Sequence, residues 1–313
     1  MKVIFGALTI LLFSALVAGC GTLPDARPFA EATNTLSVAV KSSGQALTDS
    51  LRDAGSVVPS DEAEYEKIIK DFEAAWSNRV KAAQGAVTYS DAIVDLIAAG
   101  KEGAETVKKA GDSLQALAGA VNIPLAAPAV GVIGDIARFL LDRIAIVRAS
   151  RTLEEAVAQA QPAVDRIAEH LAAESDRQLK PTLKRAYDNI ISGIKTKYDA
   201  DNNFAMRIAG KREEARRKAI DDPKMIQQLE EFDRVQATVA VSLKERDQKI
   251  DQATAAYKAR VQLINALSTA TTTWATAHRD LASAIREKRK VNATELQETV
   301  VDLKELIKKV RAL

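Results

Sequence analysis

The feature that most restricts the fold of this chain is a seven-residue repeat in its second half. Leu229, Gln236, Leu243, Ile250, Tyr257, Ile264, Thr271, His278 and Ile285 recur at one position, and Phe232, Val239, Arg246, Ala253, Arg260, Leu267, Trp274 and Leu281 at another. Steps of three and four keep both series on one side of an α-helix, as in the seam of a coiled coil. The register holds for about 57 residues, a rod of roughly 85 Å at 1.5 Å per residue. Asp222-Pro223 supplies its start, with proline where the helix has no use for an N–H. Arg246, Arg260 and His278 interrupt the apolar series. Polar groups on a seam fix register or carry their charge out to water.

A second series runs Tyr65, Ile69, Phe72, Trp76, Arg79, Ala83, Ala86, Ser90, Ile93 and Ile97, then Gly100, Ala104, Val107, Gly111, Leu114, Ala118 and Val121. Only Arg79 and Ser90 are clearly polar, and the spacing predicts one rod of about 60 residues, roughly 90 Å long. Its neighbours read as helices too: Phe29, Leu36, Val40, Leu47 and Leu51 across 28–54, and Ile136 to Leu171 as a returning helix kinked at Pro162. Leu183 to Tyr198 carries a further stripe, with bends expected at Pro181 and at Asp199–Asn203. Asn292-Ala-Thr-Glu295 resembles a capping box before Leu296, Val300, Leu303, Ile307 and Val310. Aromatic residues make up 4% of the chain, with 14 Gly and 8 Pro in 313 residues, a balance that favours helices over a sandwich or barrel. No linker divides the chain. The expected fold is all-α: one elongated antiparallel helical bundle over 28–313, with coiled-coil-like long helices.

The other informative stretch is at the front. Lys2 precedes an uncharged run from Val3 to Ala18, the charged and apolar regions of a secretory signal peptide. The run is shorter than the ~20 apolar residues of a membrane-spanning helix. It ends in Val17-Ala18-Gly19-Cys20, which contains the chain's single cysteine and resembles the lipobox of bacterial lipoproteins. That resemblance implies cleavage between Gly19 and Cys20, acylation (palmitate among the chains) of Cys20, a short tether over 20–27, and a protein anchored in the bilayer of the cell envelope. Gly21 rather than aspartate follows the cysteine, which by the same resemblance favours the outer over the inner membrane in a Gram-negative host. Two or three acyl chains, at ~0.8 kcal/mol per buried methylene, hold a protein where one barely would.

Chemistry is sparse. The 44 basic and 42 acidic side chains nearly balance, and Lys2 is lost with residues 1–19, so nothing points to nucleic acid. With Cys20 acylated no thiol is left for a disulfide or metal site. His170 and Glu174 stand four apart and read as a pair on a helix surface, too few ligands for a metal. Ser192-Gly-Ile-Lys195 fits a Ser-x-x-Lys pattern without its companion motifs. Basic clusters at Arg207–Lys218 and Arg286–Lys290 are diluted by glutamate; they read as solvated faces, with attraction to anionic headgroups as the alternative. No catalytic residue, metal or cofactor is expected.

The uncharged stretch 113–134 remains. Pro124, Pro128, Gly131 and Gly134 predict a turn or apolar hairpin around 121–134. Ile123, Pro124, Leu125, Pro128, Val130, Val132 and Ile133 are its candidate contacts with membrane or a protein partner. A second rod overshooting the first helix by roughly 50 Å would point this tip the same way as the anchor. The functional expectation is a non-enzymatic lipoprotein scaffold or interaction module with a protein partner. The alternative is a membrane-inserting protein, since the layout resembles helical pore-forming cytolysins. Oligomeric state is left open.

Overall fold

The computed structural model describes residues 24–57, 62–99, 104–121, 130–219, 222 and 224–313, except the side chains of 99, 104–106, 116–121, 130–138 and 141. Among these residues every regular element is helical: α1 (Arg27–Val57), α2 (Glu62–Ala99), α3 (Ala104–Val121), α4 (Val130–Ala149), α5 (Leu153–Glu174), a π-turn (Ser175–Leu179), α6 (Lys180–Lys197), α7 (Asp199–Lys218), α8 (Lys224–Glu287) and α9 (Thr294–Arg311). The all-α class follows from the heptad patterning, and the seam positions are the buried ones: Phe29, Leu36, Val40, Leu47 and Leu51 in α1, Ile69, Trp76, Ala83 and Ile93 in α2. Contacts group the chain into two compact units, Met1–Ser42 with Ala74–Ser175 and Asn265–Ile307, and Ser43–Glu73 with Asp176–Ile264 and Lys308–Leu313.

In the first unit, bonds between distant residues set the helix directions. Trp274 Nε1 donates to Thr33 Oγ1 at 3.0 Å, and the His278 ring lies 5.9 Å from that of Phe29. Thus α1 and α8 are antiparallel. Trp76 Nε1 donates to Val40 O at 3.1 Å, while Tyr89 meets His278 near Phe29, so α2 is antiparallel to α1. Arg79 pairs with Glu174, whereas His278 joins Tyr89 to Gln161, which makes α5 antiparallel to α2.

The single 60-residue rod is not what forms. Three residues join α4 to α5 and the two pack along each other, so α4 runs opposite to α5. Arg148 at the end of α4 bonds to Asp112 at 2.5 Å and lies 2.6 Å from where a Cβ on Gly111 would stand. With so short a connection from Val121 to Val130, α3 must then run opposite to α4, and therefore opposite to α2. The heptad phase continues from Ile97 into Val107 and Leu114, all on helices, but the direction does not. Small seam residues that let α4 approach closely, Gly111 among them, serve a hairpin as well as a rod.

The returning helix is likewise two. Thr152 is the N-cap of α5, its hydroxyl accepting from Glu155 N–H at 3.1 Å while Glu155 takes the Arg151 N–H at 2.9 Å, a variant of the capping box. Pro162 sits within α5, which continues through it, and the expected bend at Pro181 is absorbed by the π-turn, leaving the proline in the first turn of α6. Gly131 and Gly134, expected in a turn, lie inside α4.

The second unit contains a two-helix arm. Ser242 bonds to Asp201, Arg246 to Asn202 at 3.4 Å, and Arg212 to Asp233 at 2.6 Å, so α7 and the first half of α8 form an antiparallel hairpin. One partner covers only one side: Leu229, Phe232, Val239 and Leu243 are half-buried, whereas Leu263 and Leu267 farther along α8 are fully buried. Asp222 starts α8 by accepting from Lys224 N–H at 2.9 Å. Elsewhere in this unit Tyr187 stacks on Tyr257 with centroids 4.4 Å apart, and buried Arg260 donates to Ser50 at 2.7 Å and Asp53 at 3.3 Å.

Two glycines give a matched test. A Cβ on buried Gly193 of α6 would overlap Val57 Cγ1, whereas one on Gly210 of α7 would meet nothing within 4 Å. Gly193→Ala is expected to lose about 1–3 kcal/mol through overpacking, and Gly210→Ala to gain about 0.5–1 kcal/mol in helix propensity. Urea-unfolding midpoints moving in opposite directions would check both.

Candidate functional site

The heptad core of the first unit is interrupted where α2, α5 and α8 meet by Tyr89, Gln161 and His278. Gln161 Nε2 faces two acceptors, Asp165 Oδ1 at 2.8 Å and Ala275 O at 3.1 Å, so the amide oxygen must face His278 Nδ1, 2.6 Å away. Nδ1 therefore carries the proton, and Nε2 accepts from the Tyr89 hydroxyl at 2.8 Å. Burial holds the imidazole neutral, with its pKa lowered to about 4, and drives the Tyr89 phenol far above its ordinary value. Arg279 reaches back to Asp165 at 2.8 Å.

A few turns along α2, Arg79 grips Glu174 with two nitrogens, Nε at 2.8 Å, while His170 Nε2 stands 3.2 Å from the same carboxylate. Burial works to raise the pKa of Glu174, but the bonds from Arg79 and His170 outweigh it and the net shift is downward. His170 and Glu174 do pair, as their spacing predicts. They are not a surface pair, because Glu174 is 6% exposed and spans to α2. Likewise His278 does not carry its ring to water; it is buried and bonded across helices, as is Arg260.

Above Gln161 an open groove of about 470 Å³ is bounded by Glu154 and Glu155 on α5 and by Arg279, Ser283 and Arg286 on α8. Its walls carry opposite charge. Glu155 and Thr152 are engaged in the cap, and His278, the nearest imidazole, lies beneath Gln161 with both nitrogens bonded. The groove thus offers ionic contacts to a ligand but no hydroxyl paired with a free base. Of these residues the sequence marks out only Arg286, as part of a basic cluster; their meeting is not legible because α5 and α8 stand more than a hundred positions apart.

Among the described residues no three His, Cys, Asp or Glu side chains stand together as metal ligands, and no helix is long and apolar enough to cross a membrane. Gly19, Cys20, Ile123, Pro124, Leu125 and Pro128 lie outside the described residues. Val130, Val132 and Ile133 fall in the opening turns of α4, with side chains outside the description. Since α4 runs opposite to α5, its start points away from the end of the first unit where α1 begins. Ser192 and Lys195 lie exposed on α6, and Gly193 between them packs on Val57. Half of the arm cluster is ion-paired: Arg212 with Asp233, Arg216 with Glu213 at 3.8 Å, Lys218 with Glu214 at 2.7 Å.

Two stability measurements probe these bonds. Arg79→Met should cost about 3–5 kcal/mol by stranding a buried carboxylate, and Arg79→Met with Glu174→Leu should regain most of it. The unfolded state takes up a proton at a histidine near 6.5 and the folded His278 only near 4, so stability falls as pH drops through that window. Between about pH 7 and pH 5 the loss should be about 2 kcal/mol in urea titrations, and His278→Gln should flatten it.

No family model, curated protein or solved structure matches the chain.

Proposed function

We propose that the chain is a non-enzymatic helical scaffold or interaction module, anchored in the membrane of a bacterial cell envelope through acylated Cys20. The observation that carries the reading is the spacing between Cys20 and the folded body. The lipobox-like Val17-Ala18-Gly19-Cys20 is separated by only three residues from Pro24, which is already buried, as is Ala26. Asp25 then accepts from Arg27 N–H at 3.0 Å and starts α1. A lipidated body so close to its anchor is held at the bilayer surface.

The second support is where the conspicuous polar groups are used. Arg79, Glu174, Tyr89, Gln161, His278 and Arg260 all bridge helices inside the core. Such bonds specify register. A scaffold needs that; a reactive centre needs at least one such group turned toward a substrate.

Labelling cells with an alkyne-bearing palmitate tests the anchor. The wild-type protein should carry the label and stay in the membrane fraction through a high-salt wash, and Cys20→Ser should carry none and keep residues 1–19. An unlabelled wild-type product beginning at any residue other than Cys20 would refute the anchor.

A further inference from the structure

We propose that the basic turn joining α8 to α9, residues 286–290, is the surface that the first unit lays on the anionic phospholipid headgroups of the membrane holding Cys20. The inference rests on the anchoring reading above. It begins with direction. Because Phe29 and Thr33 of α1 face His278 and Trp274 of α8, the start of α1 and the end of α8 lie at the same end of this unit. The chain from Cys20 to buried Pro24 spans four Cα–Cα steps and so reaches at most about 14 Å. That reach is of the order of the Debye length, about 10 Å at 0.1 M salt, so this end of the unit can be brought within the field of an anionic surface.

The charges there are of the right sign. Arg286-Glu287-Lys288-Arg289-Lys290 holds four cations and one anion. Glu287 is consumed by Arg286 at 3.2 Å and Arg289 at 2.9 Å, and Arg289 also grips Asp280 at 2.6 Å. Asp25, at the start of the chain's folded part, is occupied by Arg27. Lys288 and Lys290 are exposed and form no ion pair with the described residues. Of the other carboxylates on this side, Glu155 is tied to the α5 cap, exposed Glu154 borders the groove that Arg286 also lines, and Glu295 stands in the first turn of α9, where the helix dipole favours it, so the four cations still outnumber the acids left to oppose them.

The turn is also held in shape. Asp280 accepts from Arg289 and from Asn292 N–H at 2.6 Å, and Arg289 N–H closes the helix end on Ala284 O at 3.1 Å. That closure puts Lys288 in the left-handed region, with φ of 52°, at a position where glycine is the favoured residue. The backbone therefore tolerates a lysine where a glycine would fold better, and what the lysine adds is an outward positive charge. A polybasic patch beside acyl chains is the combination that makes membrane attachment stable.

The test uses the mature lipidated protein reconstituted into vesicles of phosphatidylcholine alone or with about one third phosphatidylglycerol, treated with an amine-reactive ester and read lysine by lysine by mass spectrometry. Lys288 and Lys290 should react at least about fivefold more slowly on the anionic vesicles, the effect of ~1 kcal/mol per charge, and recover at high salt, with exposed Lys244 as the reference. Lys288→Gly should resist urea better than wild type yet weaken the protection of Lys290. Protein that floats with both vesicles while its lysines react equally on each overturns this proposal and leaves the anchor standing. Protein that floats with neither overturns both.

Discussion

The layer of Phe29, Tyr89, Gln161, Trp274 and His278 is the constraint on which the first unit depends. A seam built from Ala, Leu, Ile and Val is nearly the same after a shift of one heptad, and apolar packing alone discriminates weakly between such registers. The hydrogen bonds from Tyr89 to His278 and from His278 to Gln161 do not survive a shift, because each joins two different helices at one register. A slipped register leaves a phenol and an imidazole buried without partners, at about 1–3 kcal/mol each. Arg79 and Glu174 repeat the device farther along α2 and α5 with full charges, where the penalty for separation is larger. The polar residues that break the heptads are thus what makes one alignment of them unique.

This explains what could be read from the chain and what could not. The stripes of α1, α8 and α9 were legible because each is a single amphipathic helix whose phase is set by its own residues. The opposite directions of α2 and α3 were not, because a seam pattern records which side of a helix is apolar and carries no information on which way the helix points. The break before α5 was present in Thr152 and Glu155, but a stripe that runs in phase on both sides, from Val147 to Leu153, conceals it. Helix α7 was hidden for another reason: its buried residues are only Ile208 and Ala215, since it covers one side of a two-helix arm and nothing else. In the core the residues Arg79 and His278 announced themselves as interruptions, while their partners, 95 and 117 positions away, look like ordinary surface polar residues until the fold brings them in. Cys20 and the apolar stretch 122–129 remain readable only as sequence.

The reversal at α3 also changes how the anchor and the apolar stretch relate. A straight second rod would have carried both toward one bilayer. With α3 and α4 folded back along α5, the helix that begins at Val130 starts about 27 Å up α4 from Arg148, away from the end where Pro24 is buried. On the anchoring reading, the end of α8 with its basic residues therefore lies on the membrane side of this unit, and the start of α4 lies at the other end.

The same topology sets an order of events for a chain anchored at its front. Helix α1 precedes most of its partners in the chain: beyond the bond from Trp76 to Val40, it is bound by Trp274 and, in the second unit, by Arg260, across 241 and 210 positions, and Phe29 packs on His278. Contacts so distant in sequence form late, after the loop-closure entropy of the intervening chain has been met. The local hairpins, α3 with α4, α4 with α5 and α7 with α8, have no such delay. An acylated Cys20 would therefore join the bilayer while α1 still lacks its α8 partners, and the end of α8, arriving late, would close on α1 and bring Lys288 and Lys290 to the surface in one step. On the anchoring reading, a tether at the start of the chain would confine that search to the membrane plane, so the arrangement that completes the core would also complete the proposed contact with the headgroups.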